Sequence, residues 1–289
     1  MLKTNEINIR DPFVLPYDGR YYLYGTRGET CWGEADGFDG YVSDDLENWE
    51  GPFEVFHKPD DFWADKNYWA PEIHYYDGAF YMFATFNSVA KDKKGTLILK
   101  ADNPLGPYKL HSDGKITPDD WQALDGTLYV DDAGTPFMVF SHEWIDVFDG
   151  EICLVELSRD LKKACGEPTI LFKASEAPWV KYGENKDFPG KKIFVTDGPF
   201  MYKNIAGELV MLWSSFSENG YVEAIARSTT GKITGPWVQD EKPLFDKNGG
   251  HGMLFKTYDG KLMLTLHSPN SHLDERPVFY ELKEEDFLA

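Results

Sequence analysis

Asp11, Glu72, Asp125, Asp197 and His251 each open a short run of similar form. The runs are Arg10-Asp11-Pro12-Phe13-Val14, Glu72-Ile73-His74-Tyr75-Tyr76, Asp125-Gly126-Thr127-Leu128-Tyr129, Asp197-Gly198-Pro199-Phe200-Met201 and His251-Gly252-Met253-Leu254-Phe255. Successive openings lie 61, 53, 72 and 54 residues apart. Repeats of that length mark solenoids or propellers, where equivalent positions converge on one axis. Carboxylates gathered there can divide acid–base work, one ionised and one kept protonated by burial and like charge. Singly, an Asp before Pro or Gly is commonly a turn residue bonded to its own backbone; the shared register is what points to chemistry.

The elements that must position these groups are short strands. Asp18-Gly19, Asp77-Gly78 and Asp259-Gly260 separate β-prone runs, as do turns through Gly134 and Gly207, and an Asp-Gly between such runs is a hairpin signal. Each copy carries a third β-prone run, and turn segments such as Pro104-Leu105-Gly106-Pro107 lead on to a fourth, outer strand. The expected fold is all-β: a five-bladed β-propeller of four antiparallel strands per blade, one domain over residues 1–289. The fifth copy is short, and the N-terminal residues are expected to complete a blade. First strands start, and second strands end, on one face. That face gathers the five openings with Arg27, Asn87, His142-Glu143, Ser214-Ser215 and His267, and Arg276 at a third-strand start. Trp69 and Trp32 are candidates to stack on a ligand, and the stretch from Lys173 to Lys192 is expected to overhang the pocket.

Bulk properties narrow the partners. The formal net charge is −20, which disfavours nucleic acid and anionic membranes. Aromatic residues make up 16% of the chain, suiting half-buried strands and the C–H faces of sugars. Cys31, Cys153 and Cys165 form no Cys-x-x-Cys, so neither a disulfide framework nor a zinc knuckle is indicated. No Asp-x-Asp-x-Asp-Gly calcium loop occurs, nor any run of about 18 apolar residues. Met1 to Glu6 show no signal-peptide pattern, so a cytoplasmic location is expected.

Arg10-Asp11-Pro12, Trp69-Ala70-Pro71-Glu72, Leu124-Asp125-Gly126, Thr196-Asp197-Gly198-Pro199 and Gly250-His251-Gly252, in that order, resemble glycoside hydrolase family 43, the five-bladed arabinofuranosidases, xylosidases and arabinanases. The resemblance runs from about Arg10 to Tyr280 and implies hydrolysis with inversion. It implies that Asp11 is the general base, that Asp125 tunes and orients the acid, and that Asp197 sits at the acid's place. His251 resembles an axial histidine near a central cation, often calcium, itself not required for the chemistry. Arg276 resembles an arginine that contacts sugar hydroxyls. The family pattern has Glu before Gly-Pro where this chain has Asp197, one methylene shorter, so Glu143 is an equal candidate for the acid. Glu72, His142, Arg27, Trp69 and Trp32 complete the candidate substrate contacts. Inverting hydrolysis needs its two carboxyls about 6.5–9.5 Å apart, leaving room for a water.

The expectation is an exo-acting enzyme that releases terminal pentose, arabinofuranose ahead of xylose, from short plant-derived oligosaccharides. A galactofuranosidase of the same fold and a non-catalytic sugar-binding propeller are the alternatives. A retaining, invertase-like enzyme would need a Glu-Cys dipeptide, and none occurs. Oligomeric state is not legible.

Overall fold

The alternation of β-prone runs and glycine turns does build five antiparallel sheets. In a computed structural model, residues 1–90 and 93–287 are described. Blade one holds β1 (Leu2–Lys3), β2 (Ile9–Tyr17), β3 (Arg20–Arg27), β4 (Gly37–Ser43) and β5 (Asn48–His57). Blade two holds β6 (Lys66–Tyr76), β7 (Ala79–Asn87), β8 (Gly95–Ala101) and β9 (Lys109–Leu110). Blade three holds β10 (Ala123–Val130), β11 (Pro136–His142), β12 (Glu151–Leu157) and β13 (Ala164–Lys173). Blade four holds β14 (Asp197–Lys203), β15 (Leu209–Ser217), β16 (Gly220–Ser228) and β17 (Trp237–Gln239). Blade five holds β18 (Gly250–Lys256), β19 (Leu262–Ser268) and β20 (Arg276–Leu282).

Three blades thus have the expected four strands, while blade one has five and blade five has three among the described residues. The N-terminal strand does not complete blade five: Leu2 and Lys3 pair with Trp49 and Asn48, on the outer edge of blade one. The ring is closed between blades five and one by side chains instead. Asn8 Nδ2 donates to the carbonyls of Leu273 (3.1 Å) and Glu275 (2.9 Å), and Arg276 Nε donates to the carbonyl of Asn5 (3.0 Å). Arg10 Nη1 meets the buried Glu275 carboxylate at 2.7 Å, and Trp49 stacks on Phe279.

The core lies between blades, because alternate residues of each strand face opposite neighbours. Met138 and Phe140 of β11 pack towards blade two, and Val139 between them packs towards blade four. On β15, Val210 and Leu212 face blade five, while Leu209, Met211 and Trp213 face blade three. Burying both faces of every middle strand leaves polar atoms nowhere to collect except at the hub and the rims.

Candidate active site

Every innermost strand carries the same irregularity. The ladder jumps between Arg10 and Phe13, Trp69 and Glu72, Leu124 and Thr127, Asp197 and Phe200, and Gly250 and Met253. At each jump two residues oppose one, a β-bulge, and the first of the two has a left-handed φ. It is 52° at Asp11, 46° at Ala70, 58° at Asp125, 52° at Gly198 and 53° at His251. That conformation is costly for L-residues and is found where a bulge re-aims a side chain.

The bulges correct the register of the repeat. Asp11, Asp125 and His251 are equivalent, but their counterparts in blades two and four are Ala70 and Gly198, not Glu72 and Asp197. Glu72 lies two residues past its bulge position, and Asp197 one residue before. Glycine is favoured at position 198 by its backbone and required by its neighbour. Its φ is left-handed, and a Cβ would stand 2.6 Å from Cδ2 of the His251 ring.

The bulge N–H groups are bonded around the ring, from each blade to the one before. Ala70 N donates to Thr26 Oγ1 (2.8 Å), Asp125 N to Thr85 Oγ1 (2.9 Å) and His251 N to Ser214 Oγ (2.7 Å). Asp11 N donates to His267 Nδ1 at 3.2 Å, closing the circle. At the remaining step Gly198 N donates to Asp125 Oδ2 (3.0 Å), tying this carboxylate to the residue after Asp197.

His251 is the charge at the centre. Its Nδ1 stands 3.2 Å from Asp11 Oδ1 and 3.7 Å from Asp125 Oδ2. Burial alone would lower its pKa, but Asp11, Asp125 and Asp197 overcome that and push it up to about 9. His267 is the opposite case: burial and the Arg10 charge press its pKa down to about 3, which fits an Nδ1 that accepts the Asp11 N–H.

The carboxyls separate accordingly. Burial would raise Asp11, yet His251, Arg10 and a 2.6 Å bond from Thr26 Oγ1 hold it below the usual carboxylate range. Asp125 is pushed up to about 8 by burial and by the charges of Asp197 and Asp11, against the pull of His251. Asp197 is pushed up to about 6, chiefly by burial, although Tyr221 OH donates to its Oδ2 at 2.9 Å. One pocket therefore holds a carboxylate kept ionised and a pair of carboxyls that retain a proton.

A cavity of about 280 Å³ opens over these groups, and it is lined by Asp11, Asp125, Asp197, Glu143, His251, Arg10, Tyr221, Trp32, Trp69, Trp144, Phe216 and Asn270 among others. Trp32 and Trp69 meet edge to face at 5.4 Å, with Trp69 Nε1 bonded to the Cys31 carbonyl. Glu143 Oε2 accepts from the Lys94 ammonium at 2.6 Å. That ammonium also lies 4.9 Å from the Trp69 ring centroid.

Four candidates lie away from the cavity wall. Arg27 is clamped by Asp39 and Asp36, both near 2.7 Å, because its side chain leaves the hub along the face of blade one. Arg276 bonds the carbonyls of Asn5, Leu273 and Glu275 and fastens the ring closure. His142 is buried, stacked on Trp121 at 3.9 Å and bonded to Glu151. Glu72 holds His74 Nε2 at 3.0 Å, as its place beyond the bulge requires. Arg10, Tyr221, Trp144, Phe216 and Asn270 line the cavity without having been singled out. Tyr221 stands at the start of a third strand, a position that topology already assigns to this face.

The residues present do not fit a metal held by several side chains. His251 Nδ1 is turned towards the Asp11 and Asp125 carboxylates as an ion-pair partner, and among the described residues no group of three or more His, Cys, Asp or Glu is arranged to hold an ion. The imidazolium itself supplies positive charge on the axis. No helix among the described residues is long and apolar enough to cross a membrane.

Residues 5–288 match the family described as Glycosyl hydrolases family 43. The chain is 24% identical to an extracellular exo-α-(1→5)-L-arabinofuranosidase of Cellvibrio japonicus, over 92% of this chain and 80% of that protein. It shares 24% identity with an extracellular endo-α-(1→5)-L-arabinanase of Bacillus subtilis, over 56% of this chain and 50% of that one. The solved structure of an endo-arabinase from Bacteroides thetaiotaomicron superimposes with a TM-score of 0.90 at 39% identity, covering 98% of this chain and 97% of that one. With the family's fold, its five motifs in order and a hub that sorts carboxyls by proton affinity, the chain belongs to glycosyl hydrolase family 43.

Proposed function

We propose that this glycoside hydrolase removes terminal arabinofuranosyl units from α-1,5-linked oligosaccharides with inversion. Asp11 is the general base, Asp197 the general acid and Asp125 the group that tunes the acid. One observation carries the assignment: the cavity wall holds Asp11 depressed beside His251 and Arg10, while Asp197 is raised to about 6. Asp11 takes a proton from water as its oxygen attacks the anomeric carbon. Asp197 gives its proton to the glycosidic oxygen as the bond to that oxygen breaks, and the two exchange protons with solvent to reset. Asp125 and Asp197 share proton affinity, but Asp125 is 4% exposed with one oxygen engaged by Gly198 N. Half-buried Asp197 is the one in reach of substrate.

Glu143 is a weaker candidate for the acid. A proton on its Oε2 would compete with the Lys94 ammonium that already binds there. It is better suited to accept from a sugar hydroxyl through its remaining oxygen.

Arabinose is favoured by the relatives' activities, and exo action by a cavity of about 280 Å³ walled by three tryptophans, small for a ligand pocket. Endo action is the second reading, favoured by the similarity to the Bacteroides endo-arabinase. Digestion of linear α-1,5-arabino-oligosaccharides, followed by NMR and chromatography, tests both. The expected product is β-arabinofuranose, released one unit at a time. Early mid-chain products would establish endo action, and an α-anomer would reject inversion.

A further inference from the structure

We infer that the groove beside the β15–β16 turn of blade four binds the leaving-group portion of an extended oligosaccharide. The groove holds about 720 Å³ and is lined by Trp179, Lys181, Tyr182, Ser217, Asn219 and Asp246 with their neighbours. One wall is the loop before β14, and the other is the turn between β15 and β16. The walls are fixed to each other. Lys181 N donates to the Phe216 carbonyl at 2.8 Å, and the Lys181 ammonium pairs with Glu218. Asp246 fastens the turn, accepting from Ser217 Oγ (2.9 Å) and Asn219 Nδ2 (2.6 Å).

The inference rests on Asp197 being the acid. A general acid must touch the glycosidic oxygen, so the departing chain leaves past Asp197. From there the contacts lead outward along blade four. Tyr221 bonds Asp197, its ring packs on Phe216 at 5.2 Å, and Phe216 lines the catalytic cavity while the next residue, Ser217, lines the groove. A second line runs from Val195, on the cavity wall, through Phe194 to the Tyr182 ring at 6.1 Å.

The lining suits sugar. Tyr182 is 42% exposed, meets Phe194 edge to face and has the Lys192 ammonium 4.4 Å from its centroid, so its uncovered surface is an aromatic one that C–H faces can meet. Trp179 is seated on Trp213 at 5.0 Å. Asn219, Lys181 and Asp246 offer both donors and acceptors to hydroxyls. The chain's charge of −20 disfavours a polyanion in the same place.

The test is kcat/KM for α-1,5-arabino-oligosaccharides of increasing length and for a nitrophenyl arabinofuranoside, in the unaltered protein and in Tyr182→Ala and Tyr182→Phe. Melting temperatures control for folding. We expect kcat/KM to rise with length, and Tyr182→Ala to lose about five- to tenfold on long substrates, one aromatic contact's worth. The loss is confined to long substrates, and Tyr182→Phe retains the rise. Equal losses at every length, or no loss at any, overturn the groove while leaving the catalytic assignment standing. Failure of the unaltered protein to cleave any arabinoside instead overturns the proposed function, and the groove's role with it.

Discussion

Asp11 and Asp125 occupy the same place in blades one and three. Both are the first residue of an inner-strand bulge, with φ of 52° and 58°, and both donate their N–H to the preceding blade. Both are buried, and both face Nδ1 of the same histidine. Yet one is held below the ordinary carboxylate range and the other is raised to about 8. The difference is in what the neighbouring residues present. Asp11 has Arg10 beside it in sequence and the Thr26 hydroxyl at 2.6 Å, and it is 0.5 Å nearer the imidazole. Asp125 has Leu124 beside it and two carboxylates across the hub. Repetition thus supplies equal positions, and single substitutions around them assign the proton.

The largest effect should come from removing the ionised member. Asp11→Asn is expected to lower kcat by about 10²- to 10⁴-fold, the scale of a lost general base, with the melting curve still cooperative. Retained turnover in a folded variant would reject the proposed mechanism. Asp197→Asn should lose a comparable factor on oligosaccharides but much less on a dinitrophenyl glycoside, whose leaving group needs no proton. If Glu143→Gln shows that leaving-group dependence and Asp197→Asn does not, the acid has been misassigned.

A smaller effect should follow from making Asp11 resemble Asp125. Arg10→Met removes the cation beside the base, and Thr26→Val removes its hydrogen bond. Each should move the acidic limb of the kcat/KM profile to higher pH, because Asp11 then holds its proton more tightly. The sign is the content of the prediction, and a limb that stays put or moves down contradicts the comparison.

Much of this arrangement is legible in the chain. The five bladed units follow from hairpin glycines and two-residue alternation, which are local. The shared position of Asp11, Asp125 and His251 is readable because in those blades the bulge residue is itself a carboxylic acid or a histidine. At blades two and four it is Ala70 and Gly198, which have no functional side chain, so the nearest acid took the place of the true equivalent. A bulge is defined by the partner strand, and a single run of residues does not display it. Arg27 and Arg276 lie off the cavity wall for a related reason. A charged side chain reaches far, and the acceptors that hold it, Asp39 and the Asn5 carbonyl, belong to other segments. Two-residue β1 is too short to show an alternating side-chain pattern, so its pairing with the far edge of blade one is not announced by its own residues.

Glu223 offers a fourth carboxyl beside His251, one that no cation among the described residues pairs with directly. It is fully buried on β16, and its Oε2 accepts from Ser214 Oγ (2.8 Å) and Gly252 N (2.7 Å), while Oε1 has no hydrogen-bond partner. Burial raises its pKa from 4.5 to about 8, and those two bonds and His251 only partly oppose the rise. A carboxyl raised in this way stabilises the fold fully below its ordinary pKa, and that contribution is lost as pH rises towards 8. Glu223→Gln keeps an acceptor for both donors and cannot ionise. Its melting temperature should therefore fall less steeply than that of the unaltered protein between about pH 5 and pH 8. Asp125 and His251 lose stabilisation in the same direction, but they are common to both proteins, so the difference in slope isolates Glu223. Parallel slopes would mean that Glu223 is ionised in the folded protein, and that burial alone does not raise a carboxyl at this hub. The contrast between Asp11 and Asp125 would then have to come wholly from their charged neighbours.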